Sequence, residues 1–332
     1  MRHLSFKAAH TSFGVGAVLL CVVSLFYMVP HNALLGRFQK VPTMKQVTPV
    51  SSAQEIVFES PATFSSLSES VLEEAMLENS FGKASWTPPL FRPQNTREMV
   101  DLFISHEFCL RKLKQGKTCV PRVFVSHFPA DWKDPKTEKT RHQFFVQMVL
   151  PLVLAENERL LYLRDRAIDL FQQIHQGKTL KNHERTWLRK LAAEYKVPAF
   201  DEGALLARLD AVPPSLALAQ AILESGFGRS QAAMTKNSIF GHMQTTTEVR
   251  PYPTLHHSVV SYIHNLNKHR AYRSLHRMRH QQRRAGQIPS GFSLTRGLMA
   301  YSERGKDYIR DLQYLIQRYR LERFDTVTLR PL

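Results

Sequence analysis

The stretch LALAQAILESGFGRS, residues 216–230, sets one carboxylate, Glu224, at the end of an apolar helical run. Pro213-Pro214-Ser215 is a helix start signal, and Gly226 or Gly228 can close the helix in a left-handed conformation. Leu218, Ala219, Ile222 and Leu223 form a stripe that should face the core. Glu224 falls on another face, with Ala217, Gln220 and Ala221 as small or polar neighbours that should leave room for a ligand. An acid in the last turn meets the negative end of the helix dipole. That position, together with any burial, should raise its pKa. A carboxylic acid that keeps its proton near neutrality can act as a general acid. Local physics alone is also satisfied by a solvated glutamate at a helix end.

The words around Glu224 narrow the choice. LAQAILESGFGRS, followed by KNSIFGHM at 236–243, resembles the glucosaminidase family of peptidoglycan hydrolases, with Phe227 where tryptophan is common in the family. Glu224, Ser225, Gly226, Gly228 and Ser230 fit the first block, and Asn237, Phe240 and Gly241 fit the second. SVVSYIHNLNKHRAYRSLHRMR at 258–279 is similar to the family's helix ending in N-x-x-x-x-Y. GLMAYSERGKDYIRDLQYLI at 297–316 and KTEKTRHQFFVQMVLPLVLAENERLLYLRDR upstream look like the Bax-type branch, so the likeness covers about 136–320.

This resemblance implies a mainly α, lysozyme-like domain with a small β-hairpin lobe. The activity it implies is hydrolysis of the β-1,4 bond after N-acetylglucosamine, with peptidoglycan glycan strands as partner, Glu224 as general acid and no cofactor or metal. A second carboxylate would sit on the hairpin lobe, and Glu248, in QTTTEVRPY, is the only acid between Glu224 and Ser302. Tyr272 matches the family tyrosine thought to line the sugar subsite next to the scissile bond. Gln220, Asn237 and Phe240 complete the candidate substrate-binding set, although Asn237 could instead fix a turn and Phe240 could pack. The segment FGHMQTTTEV is shorter than its counterpart in Bax-type proteins, which leaves open a route in which the substrate's N-acetyl group takes the second role. Two rivals remain. Glu224-Ser225 followed by Gly241-His242-Met243-Gln244 echoes lytic transglycosylases, and a non-catalytic wall-binding protein could keep the same cleft.

Several elements must position these residues. Helical patterns cover about 140–176, with Pro151 expected to kink or divide the run, and then 184–195, 201–209, 215–225, 257–269, 293–301 and 305–320. Residues 242–256 are polar, with a hairpin expected near 244–254. In the last helix Tyr308, Ile309, Leu312, Leu315, Ile316 and Tyr319 recur at helical spacing.

Composition frames the whole chain. Forty-five Lys+Arg against 28 Asp+Glu give a net charge of +17 over 332 residues, which suits a polyanionic partner. No zinc-finger or P-loop spacing supports nucleic acid. Residues 13–29 form an uncharged run of 17 behind Arg2 and Lys7, long enough for a membrane span. Residues 1–30 are expected to be a cytoplasmic stub followed by this run as an inner-membrane signal anchor, with the rest of the chain in the periplasm; a cleaved signal is the alternative. A flexible linker (31–90), carrying a short helix at 68–81, an accessory region (91–135), the catalytic domain (136–322) and a tail (323–332) should follow. Cys109 and Cys119 could pair in an oxidising compartment or stay free. His276 and His280 have a metal-like spacing, but HRMRH lacks a carboxylate and carries flanking arginines, so no metal is expected. The run RSLHRMRHQQRRAG is expected to be a solvated basic face, the alternative being a surface that holds acidic peptide stems, teichoic-type polymers or lipid headgroups.

Overall fold

The computed structural model of the chain describes residues 88–114, 119–134 and 138–331. The apolar run at 13–29, the linker as far as residue 87 and the helix expected at 68–81 lie outside them. No helix among the described residues is long and apolar enough to cross a membrane.

The fold is mainly helical. In chain order the helices are α1 (Thr96–Ser105), α2 (Leu110–Lys114), α3 (Glu138–His175), α4 (Asn182–Glu194), α5 (Glu202–Arg208), α6 (Pro214–Ser225), α7 (Gln231–Lys236), α8 (Leu255–Lys268), α9 (Arg273–Arg284), α10 (Gly291–Leu294) and α11 (Lys306–Arg318). Most boundaries follow local signals. Asp201 accepts from the Ala204 amide at the start of α5, and Ser230 and Thr254 cap α7 and α8 in the same way.

Pro151 neither ends nor divides α3, which runs unbroken for 38 residues. The expectation of a division fails because residues on both sides, Met148, Val149, Leu150, Leu152 and Val153, are fully buried. Each such side chain contributes about 1.5–3 kcal/mol on burial, so together they outweigh the ~3 kcal/mol cost of an interior proline.

Helix α6 is the central element. Ten of its twelve residues are buried, and it packs against α3, α10, α11 and the short helical turn Leu321–Phe324. Its N-terminus is held from the far end of the chain: the Ser215 amide and hydroxyl donate to the Asp325 carboxylate at 2.8 and 2.7 Å.

The boundaries expected at 136 and 322 therefore do not separate packing units. Strand β1 (Leu90–Phe91) pairs in parallel with β3 (Phe124–Val125), and β2 (Cys119–Val120) with β4 (Thr328–Leu329). Trp132, fully buried, donates to the Phe227 carbonyl at 3.0 Å. The described residues of 91–134 and 323–331 are thus built into the fold around α6 rather than appended to it.

The disulfide weighed from the sequence is not made. Cys109 and Cys119 are free thiols that line one small pocket with Phe108, Leu113, Pro121 and Arg330. The backbone of Cys119 is committed to the pairing with Thr328.

Candidate active site

The turn after α6 explains the glycine-rich motif. Gly226 adopts φ 56° and caps the helix in the left-handed region, and its amide donates to the Ile222 carbonyl. The Ser225 hydroxyl donates to the Ala221 carbonyl at 2.5 Å and accepts from the Gly228 amide at 2.9 Å. Phe227 is then locked in place: its ring stacks on His142 at 3.7 Å and meets Phe145 and Tyr319 edge-on.

Glu224, the single acid of α6, is held by a hydrogen bond at one oxygen and approached closely by backbone at the other. Tyr308, from α11, donates its hydroxyl to Oε1 at 2.9 Å. On the other side lies Gly241, at φ +67°, where a Cβ would stand 2.8 Å from Oε2. The glycine of the second block is therefore required twice, by its backbone conformation and by the closeness of the acid.

A directed network lies behind Tyr308. Tyr262 donates to Gln220 Oε1 at 2.7 Å, and Gln220 Nε2 donates to the Tyr308 hydroxyl at 3.0 Å. A phenol has one proton. Because Tyr308 accepts from Gln220, that proton is directed at Glu224. Tyr301 stacks on Tyr308 at 5.5 Å between ring centroids, and Tyr272 lies 6.1 Å from Tyr301. The acid thus rests against a wall of tyrosines.

This environment sets the proton affinity of Glu224. Burial raises its pKa from the ordinary 4.5 to about 7, with Tyr308 and the Arg304 charge pulling part of the way back. The direction matches the sequence expectation, and the cause is chiefly burial. The same carboxylate also pushes Tyr308 well above the usual phenol range, after burial itself. At neutral pH the site therefore holds a carboxyl group poised between its two states beside a neutral phenol donor, an arrangement able to deliver a proton.

The other sequence candidates occupy different positions. Ala217, Gln220 and Ala221 were expected to leave open space beside Glu224, but all three are fully buried. Tyr308 and Tyr262 reach Gln220 from distant segments, so Gln220 positions the phenol rather than lining an open subsite. Tyr272 is 4% exposed, and burial pushes its pKa up to about 12. It packs against Tyr301 and His269 instead of standing open as a sugar-stacking ring. Phe240 is 1% exposed and stacked on Tyr262 at 3.8 Å, so it is a packing residue. Asn237, at φ 51°, closes α7 and donates to the Tyr252 and Pro253 carbonyls at 3.0 and 3.3 Å, the turn-fixing alternative.

Glu248 sits on a minimal hairpin closed by the antiparallel bridge Met243–Val249. Its side chain is exposed and lies 3.3 Å from Lys236 Nζ. No described contact joins it to Glu224.

Sequence reasoning missed Tyr308 as a site residue. It belongs to the apolar stripe of the last helix, and the available signal was a phenol at each end of that otherwise aliphatic stripe, Tyr308 and Tyr319.

Comparison with known proteins gives a family for this part of the chain. Residues 204–321 match the glucosaminidase family model, described as mannosyl-glycoprotein endo-beta-N-acetylglucosaminidase. The chain is also similar to Protein bax of Escherichia coli (strain K12), at 30% identity over 184 residues. That alignment covers 51% of this chain and 66% of the relative. No solved structure matches. The matched segment includes α6, Gly241 and Tyr308, which together make the site.

Proposed function

We propose, from the premise that this chain belongs to the glucosaminidase family, that it hydrolyses the β-1,4 bond after N-acetylglucosamine in peptidoglycan. The observation that carries this reading is Glu224, held against the tyrosine wall with a pKa of about 7. In the proposed reaction Glu224 gives its proton to the departing glycosidic oxygen. The Tyr308 hydroxyl then stabilises the carboxylate left behind, because it already donates to Oε1. The domain carrying this chemistry is taken to be lysozyme-like.

Glu248 is the proposed second carboxylate, activating water from the hairpin. To do so it must leave Lys236. An exposed ion pair of this kind is worth under about 1 kcal/mol, so the pairing is no barrier to a shift of the hairpin. The uncharged run at 13–29 is proposed to anchor the chain in the inner membrane, with the enzyme facing the periplasm.

The test is product chemistry. Purified peptidoglycan is digested with the wild-type chain and with Glu224→Gln, and products are analysed by mass before and after borohydride reduction. Reducible N-acetylglucosamine ends, absent with Glu224→Gln, are the expected result. Anhydromuramoyl ends would make the enzyme a lytic transglycosylase. No products from a folded wild-type chain would make it a binding protein.

A further inference from the structure

The basic run of α9 is not simply a solvated face. Arg279 is fully buried, and three guanidinium groups meet the single carboxylate of Asp210: Arg283 at 2.8 Å, and Arg164 and Arg279 at 3.8 Å. Two of the three are largely spent on the fold. Arg279 donates to the carbonyls of Ala207, Arg208, Asp210 and Ala211 and to Asn267. Arg164 donates to the carbonyls of Leu206 and Leu209. The carbonyls of Leu206, Ala207, Arg208 and Leu209 close the end of α5, where a helix carries about half a negative charge. One carboxylate and that partial charge do not balance three guanidinium groups. A positive surplus of about one and a half charges is left, and unpaired charge is costly where it is partly buried.

The surplus opens onto a surface pocket. Arg164, Leu206, His280, Arg283 and Arg284 line it, together with Glu202. Glu202, which lies 3.3 Å from His175, and Asp165, next to Arg164, offset part of the charge. Unspent donors remain around the pocket. Arg283 uses Nε and Nη2 on Asp210 and keeps Nη1. His280 Nδ1 is buried with no hydrogen-bond partner among the described residues. Arg284 is exposed. Burial, followed by the charges of Arg164 and Arg284, pushes the His280 pKa down, as expected beside uncompensated cations.

We propose that this pocket is an oxyanion site for a phosphate group. Its unspent donors come from successive turns of α9, and Arg164 of α3 adds its charge. A tetrahedral oxyanion can engage several of them at once, whereas a planar carboxylate pairs best with a single guanidinium fork. The site is separate from the acid. Asp210 precedes the N-terminus of α6 and Glu224 stands at its other end, about 18 Å along a twelve-residue helix. Exposed Arg277 and Arg273 continue along α9 from Arg284. The phosphate could thus be free or part of a phosphodiester polymer lying along the helix, and the test separates the two.

Inorganic phosphate is titrated into the full-length chain in non-ionic detergent, following the arginine Nε–H and His280 ring resonances by NMR. Saturable binding is expected, with a rise in the His280 pKa. Arg284→Gln should weaken it at least about fivefold, the loss of one charged hydrogen-bond donor, and Arg273→Gln less than about twofold. A glycerol-phosphate oligomer that binds more tightly per phosphate, and is weakened by Arg273→Gln, identifies the polymer. An oligomer that binds no better identifies free phosphate. Absence of saturable phosphate binding, no effect of Arg284→Gln, or equal losses from the two substitutions would overturn the site.

Discussion

Asp210 and Glu224 are both acids shielded by the fold, the first fully buried before α6 and the second half-buried at its end, and their chemistry is opposite. Burial pushes both pKa values up. At Asp210 the charges of Arg279, Arg283 and Arg164 more than reverse that push, and the group lies below its ordinary value. At Glu224 the neighbours are a phenol and the partly screened Arg304, so burial prevails and the pKa reaches about 7. Depth alone therefore does not make an acid functional. The partner decides: guanidinium groups fix a permanent anion that pins the loop before α6, and phenols leave a proton free to move.

The comparison can be broken from either end. The largest effect belongs to Glu224→Gln, which should lower glycan hydrolysis about 10³-fold while leaving the fold intact, as judged by circular dichroism. Glutamine can still accept from Tyr308. Asp210→Asn should do the reverse. It leaves Arg279 and its neighbours without their counter-charge and should cost about 3–5 kcal/mol of stability in denaturant unfolding, with turnover per folded molecule little changed.

Glu248 belongs to neither class, being exposed and singly paired. Glu248→Gln should lower kcat about 10²-fold with no measurable loss of stability. A loss below about threefold would pass the second role to the substrate's N-acetyl group.

Tyr308→Phe sharpens the contrast most finely. It removes a donor that holds the Glu224 pKa down, so the alkaline limb of the pH–rate profile should move to higher pH. Losing one hydrogen bond of about 1 kcal/mol should lower kcat roughly fivefold to tenfold. A limb that stays in place would separate Tyr308 from the titration of Glu224.

These contrasts were only partly legible in the sequence. The limits of α6 follow from Pro213-Pro214 and Gly226, and the acid follows from its place in the last turn. The sequence also placed α4, α5, α8 and α11 to within a few residues, because their apolar spacing and caps are local. The failures share one physical cause, contact between distant segments. The open face expected beside Glu224 is filled by Tyr262 and Tyr308, which lie 38 and 84 residues further on. Pro151 is accommodated by packing on both its sides. Arg279 and Arg283 of α9 look solvent-facing in the sequence until Asp210 and the end of α5 are brought beneath them. Glycine 241 was visible as a motif letter, but the oxygen that excludes its side chain was not.

The most direct test of the central claim is the titration of Glu224 itself. Carboxyl carbons of a glutamate-labelled chain would be followed by NMR from about pH 4 to about pH 9, a range that spans ordinary and raised carboxyl values, with Glu224→Gln identifying the resonance. One carboxyl titrating near 7 is the predicted result. Between about 4.5 and 7 the folded chain then binds a proton that the unfolded chain has lost, so this residue's contribution to stability falls as pH rises through that window. A Glu224 resonance that titrates in the ordinary carboxylate range would contradict the account, because the residue would then hold no proton to give at neutral pH.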